Sequence, residues 1–277
     1  RLGPGGAVIT GVRIKSGDET PFMADEVIAD ISWKGLVPSL GAVSVIAPEL
    51  HGTLDDRGIR FHGLENLGGS GGDSGSPLPP VKITKGRVLL ATSAGDIGAS
   101  VDLEGEFPES GTLQMVLDPV SLSGPDGTLV WSEGRVDVTA SDGQLEGEAF
   151  LDLAEADIRG VQARNVQLDA LLNSPFDGAG DTQIVWDGHV ASVSWSGYEI
   201  SNASSRGRAI LDRLPSFEID SILNALVEAS AETDASKVSG SAFAGRDMQL
   251  EFDLAGEAGH VIGPVLASAS DLDVPQG

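Results

Sequence analysis

Ser74 stands in GGSGGDSGSPLPP, residues 68–80, within a GDSGSP that is one letter from the GDSGGP around the nucleophile of serine proteases. Acyl transfer through that serine needs a histidine within hydrogen-bond reach, an acid to orient it and a preorganised oxyanion hole. The upstream partners on offer, His51 with Asp55 or Asp56, lie only about 20 residues away, whereas such enzymes draw these groups from well-separated parts of the chain. Four of the seven residues at 68–74 are glycine and two are serine, the composition of a flexible connection and not of a rigid elbow. Ser74 is read as part of a solvent-exposed loop.

The remaining chemistry-bearing residues are scattered. His51 and His62 fall on the polar faces of candidate strands, His189 follows a turn signal and His260 stands alone. No HxH or HxxxH pair offers two ligands on one side of an element, so no metal site is expected. The Asp-Gly pairs at 126–127, 142–143, 177–178 and 187–188 have turn spacing, and none extends into a calcium-binding loop. Sugar platforms depend on stacked rings, yet aromatics make up 5% of the chain, with Tyr198 as the one tyrosine. Asn202-Ala203-Ser204 spells a glycosylation sequon, to which no function is attached. There is no cysteine, which removes disulfides and thiolate catalysis. The chain reads as a non-enzyme without catalytic residues, metal or cofactor.

The elements that would hold a site are strands. In DIGASVDLEGEF (96–107), Ile97, Ala99, Val101, Leu103 and Phe107 share one face, with Asp96, Ser100, Asp102, Glu104 and Glu106 on the other. DMQLEFDL (247–254) repeats this with Met248, Leu250, Phe252 and Leu254, and QLEGEAFLDL (144–153) does so again. A period of two is the signature of a strand with one apolar face. Weaker versions recur at 26–33, 111–118, 135–140, 165–170 and 191–196, separated by turn signals DDRG (55–58), GPDG (124–127), SDG (141–143) and WDG (186–188). About twenty short strands in an all-β, antiparallel meander are expected, as one elongated, curved sheet.

One exception stands out. After Pro215, SFEIDSILNALVEASAE (216–232) spaces Ile219, Ile222, Leu223, Leu226 and Val227 as in a helix, with Ser216 as N-cap and Glu218 and Asp220 in the first turn. A single amphipathic helix is expected there. The segment at 68–80 is expected to be an insertion in one continuous domain spanning 1–277.

The 277 residues carry 42 acidic and 17 basic side chains, a net charge of -25. That surface repels phosphate backbones, so nucleic acid is excluded as a partner. Hydrophobic residues at 40% set the chain apart from charged disordered segments. No apolar run approaches the roughly 20 residues of a membrane-spanning helix. The opening RLGPGG lacks a starting methionine and is read as the start of a piece of a longer protein.

PLPPVKITKGRVLLATSAGDIGASVDLEGEF (77–107) and SLGAVSVIAPELHGTLDDRGIRFHGLENL (39–67) resemble recurrent segments of the AsmA-like bacterial envelope proteins, the group that includes TamB and YdbH. The likeness lies in a proline-containing lead, a strand pair, a small AGD turn and an acidic-alternating strand ending in glycine. It implies a taco-like β-groove in the periplasm, anchored to the inner membrane through a segment outside this chain. Such a groove would carry phospholipid toward the outer membrane, with inner- and outer-membrane envelope proteins as partners. The lipid-contacting face would then comprise Ile97, Val101, Leu103, Phe107, Leu113, Met115, Leu117, Val136, Val138, Leu145, Leu151 and Leu153. It would continue through Val166, Leu168, Val193, Trp195, Met248, Leu250, Phe252 and Leu254. The competing expectation is a structural or adhesive β protein, a solenoid or passenger domain, whose interior is dry and filled.

Overall fold

The computed structural model describes residues 2–3, 6–16, 19–34, 37–55, 58–61, 79–106, 109–125, 127–176, 179–213, 225–240, 243–257 and 260–273. These residues form an all-β chain of twenty strands, and no full helical turn occurs among them. The chain divides into two units, Arg1–Asp118 with Val136–Gly143 and Pro119–Arg135 with Gln144–Gly277.

In the first unit, β1 (Leu2–Gly3), β2 (Gly6–Ser16) and β3 (Glu19–Lys34) pair antiparallel in chain order. The free edge of β3 takes β4 (Val37–Ile46) and β5 (Glu49–Asp55) end to end, and β6 (Gly58–Arg60) forms a hairpin with β5. Beyond them, β7 (Val81–Thr92), β8 (Gly95–Glu106) and β9 (Ser110–Leu117) continue as an antiparallel meander. Both β4 and β5 run parallel to β7, which corrects the purely antiparallel expectation. Parallel neighbours cannot be joined by a tight hairpin and need a longer crossover. The stretch from β6 to β7 supplies that length. Of it, 62–78, including His62 and Ser74, lie outside the described residues.

In the second unit, β10 (Val120–Gly124) pairs with the start of β11 (Gly127–Ser141). A continuous antiparallel series follows: β12 (Gln144–Ile158), β13 (Val161–Pro175), β14 (Ala179–Trp195), β15 (Tyr198–Arg213), β16 (Leu226–Ser239) and β17 (Ala244–Glu257). Three short strands, β18 (His260–Ile262), β19 (Val265–Ser268) and β20 (Asp271–Asp273), share the outer edge of β17. The long strands reverse at Arg159-Gly160 and Ser196-Gly197, where φ is 52° and 81°, then 50° and 81°. Two consecutive positive φ angles define the hairpin turn whose twist matches that of its strands. Asp142-Gly143 makes the same turn at SDG. WDG does not: Trp186, Asp187 and Gly188 lie inside β14, paired on both edges.

The expected helix is also corrected. Leu226 and Val227 begin β16, which is bonded along its length to β15 and β17, while 216–224 lie outside the described residues. Ladder bonds on both edges outweigh a helical spacing that rests on a few aliphatic residues. Within β16, Ala229, Ala231, Thr233 and Ala235 alternate with Glu228, Ser230, Glu232 and Asp234, a weak strand pattern because alanine marks the buried side.

The pleat is reset once in each unit. Asn165, Asn202 and Asp247 have φ of 50°, 48° and 46° and sit at one level across alternate strands β13, β15 and β17. Asn and Asp tolerate this left-handed backbone better than other side-chain-bearing residues. Asn202 Nδ2 donates to Ser236 Oγ at 3.4 Å, and Ser236 Oγ donates to the Ser201 carbonyl at 2.8 Å. In the first unit, Gly11, Ala47 and Lys85 have φ of 63°, 47° and 57°, and the Lys85 amide donates to Asp102 Oδ1 at 2.8 Å.

Burial is shallow. Among the described residues, eight of the thirteen buried hydrophobic side chains are alanines, and Leu211 is the largest side chain fully enclosed. Small residues on a sheet are covered by their own neighbours; they need no second layer. Ser174 and Thr182, both fully buried, share a hydrogen bond of 2.8 Å between their hydroxyls. Ser174 Oγ also donates to the Pro175 carbonyl at 3.3 Å, so Thr182 is the member that depends on the pair. Ser174→Ala is expected to lower stability by about 1–3 kcal/mol, because the buried Thr182 hydroxyl loses its partner. Adding Thr182→Val should recover most of the loss in a urea-denaturation series.

Candidate functional site

The long strands of the second unit are in register over four successive rows. Leu153, Val166, Val190, Ala203, Ala235 and Met248 are partners across six strands. Two residues along, Leu151, Leu168, Gly188, Ser205, Thr233 and Leu250 form the next row. Ala149, Ala170, Trp186, Gly207, Ala231 and Phe252 follow, then Gly147, Leu172, Ile184, Ala209, Ala229 and Leu254. Directly paired residues of a sheet point to the same side. These rows therefore make one apolar face, interrupted only by the Ser205–Thr233 pair.

The opposite face carries the charge. Asp169, Asp187, Arg206, Glu232 and Glu251 are register partners there, with Arg206 Nε 2.9 Å from Asp187 Oδ2. These groups are solvent-exposed, so the ion pair contributes little stability. Their role is to keep that side in water.

On the apolar side lies an open trough of about 530 Å³, within the range of small-molecule sites. Its floor is small: Gly188, Ala203, Ser205, Thr233 and Ala235. Val166 and Leu168 rise from β13 on one side, Met248 and Leu250 from β17 on the other, four strand spacings or about 19 Å apart. Beyond the level of Asn202 the trough continues through Val193, Ile200, Val238 and Phe243. Tyr198 stands at this end, stacked on Trp195 at 6.5 Å and tilted against Phe243 at 5.6 Å. At the other end the Trp186 indole lies on Gly207, where an added Cβ would fall 2.1 Å from Cζ2. Only glycine leaves room for that ring.

The sequence-predicted face is thus distributed unevenly. Val166, Leu168, Val193, Met248 and Leu250 line the trough. Leu151, Leu153, Phe252 and Leu254 share its face in adjacent positions, and Leu145 pairs with Ser174 at the far end. Trp195 is 57% exposed beside Tyr198. In the first unit, Leu103 and Val101 pair with Leu113 and Met115, Ile97 pairs with Leu90, and Leu117 with Ala99. Val136 and Val138 are half-buried, two apart on β11, and Phe107 lies outside the described residues. A separate hollow of about 570 Å³ in that unit has mixed walls, among them Met23, His51, Thr53, Leu90 and Asp96.

Val190, Ile200, Ala203, Ala235 and Val238 were missed by strict alternation. Their signal is a spacing of three, Val190 to Val193, Ile200 to Ala203 and Ala235 to Val238, which is what a reset pleat imposes. Elsewhere His51 Nε2 lies 2.5 Å from Glu49 Oε1, and His189 is exposed in β14. No cluster of three His, Asp or Glu side chains suited to a metal occurs among the described residues. What the trough can do chemically is hold a hydrocarbon chain against aliphatic walls while its open side faces water. No family model, curated protein or solved structure matches the chain.

Proposed function

We propose that the chain is a lipid-carrying β-groove of the bacterial envelope, which holds acyl chains on its apolar face and passes phospholipid between membranes. The observation that carries this reading is an apolar face continuous across six strands yet incompletely covered. Leu168 and Leu250, at the trough walls, are each 38% exposed. Soluble proteins seldom leave so wide an apolar surface open without a ligand or partner for it. An acyl chain gains roughly 0.8 kcal/mol per buried methylene, on the order of 10 kcal/mol for a tail. Head groups would remain in water at the open side. A structural protein with a filled interior would need these leucines enclosed.

The reading is tested by organic extraction and mass spectrometry of the purified protein. Phospholipid or another acyl lipid is expected at a fixed ratio to protein. Protein that is folded and lipid-free after expression in a lipid-replete cell, and stays so when offered vesicles, would contradict it.

A further inference from the structure

We infer that the trough distinguishes ester-linked acyl chains by a hydrogen bond from the Ser205 hydroxyl to an ester carbonyl. The inference rests on the lipid-groove reading and specifies its ligand.

Ser205 occupies the middle of the trough floor, beside Gly188 and Thr233. Two donors converge on its oxygen: Trp186 Nε1 at 3.4 Å and Thr233 Oγ1 at 3.1 Å. An indole nitrogen is a donor only, and a serine oxygen has two lone pairs. Both are therefore taken. The hydroxyl hydrogen must be donated, and among the described residues no acceptor receives it. Water at the open side can accept that bond in the lipid-free protein, but a seated acyl chain displaces the water, and a donor then left without an acceptor is costly.

The surroundings say which acceptor. Toward Trp186 the floor is closed by the indole lying on Gly207. In the other direction it runs past Val190 and Ala203 to Val193, Ile200 and Val238. A ligand with its acceptor oxygen at Ser205 would extend its apolar part that way. At Gly188 an added Cβ would meet its nearest atom, Leu168 Cδ1, only at 3.5 Å, so the bare glycine leaves space beside the hydroxyl. A neutral carbonyl suits the place better than a free carboxylate, which a chain of net charge -25 would disfavour.

The test compares diester and diether phosphatidylcholine of equal tail length, which differ in their carbonyls. Each competes against a pyrene-labelled phospholipid for the full chain. The wild type is expected to prefer the diester about fivefold, the worth of one neutral hydrogen bond. Ser205→Ala should lose that preference by weakening the diester alone. Equal affinity of the wild type for both lipids overturns the inference without any variant, and so does a preference that survives in Ser205→Ala. In either case lipid binding itself stands. Failure of the labelled phospholipid to bind the wild type at all would instead remove the groove reading beneath it.

Discussion

Leu250→Asp is expected to empty the trough of the second unit and leave its sheet folded. Leu250 forms one wall and is 38% exposed, so a carboxylate there can be hydrated in the lipid-free protein. The cost to folding should stay near 1 kcal/mol, as for other partly exposed positions. A bound acyl chain would strip that water away, and burying an unpaired charge against hydrocarbon costs several kcal/mol. Loading should fall by more than about tenfold. The lipid-to-protein ratio after extraction measures the loss, and far-ultraviolet circular dichroism reports whether the strands persist. An unfolded variant would place Leu250 in a closed core and favour the structural-protein reading.

Leu211→Ala should do the reverse. Leu211 is 1% exposed and pairs with Thr182 and Leu226 on β15, on the row that also holds the Ser174–Thr182 hydrogen bond. Removing its side chain leaves a cavity that the flanking strands cannot fill, a loss of about 3 kcal/mol. Leu250→Ala, with its side chain already half in water, should cost less than about 1 kcal/mol. Urea midpoints of the two alanine variants measure the contrast. Equal losses would mean that the two leucines are equally enclosed.

Together these substitutions separate what holds the sheet from what the sheet presents. The ladders of strands 14–17 residues long, from β12 to β17, need no covering layer to satisfy their backbone groups. Alanine-rich rows bury themselves. The larger aliphatic side chains at the trough walls are left as available surface, and a lipid seated on them would add stability by mass action.

Much of this was legible in the residues. Ile97, Val101 and Leu103 alternate without interruption on β8, and the structure places them on one face as that period requires. The same holds for Met248 through Leu254 on β17. What failed did so for identifiable reasons. The helical spacing over 216–232 rests on Ile219, Ile222, Leu223, Leu226 and Val227, and for 226–232 pairing with β15 and β17 decides for a strand, a long-range fact invisible in a local window. The parallel pairing of β4 and β5 with β7 depends on a crossover with no local pattern. WDG has the composition of a turn but lies mid-strand, where Gly188 thins the trough floor and Asp187 meets Arg206. The trough itself was only half visible, because Asn165, Asn202 and Asp247 shift the inward face by one residue. Strict alternation through Asn202 would put Ile200 on the opposite side from Ala203, with which it lines the trough.

On the lipid-groove reading, one face of the second unit receives acyl chains and the other does not. Photocrosslinking with a phospholipid bearing a diazirine in its tail, followed by peptide mapping, addresses it directly. The opposite face supplies its own controls, since Leu171 and Val185 pair there and are 52% and 36% exposed. Adducts concentrated at Leu168, Val193, Val238 and Leu250, with Leu171 and Val185 unlabelled, are the predicted result. Labelling of both faces alike would overturn the lipid-groove reading.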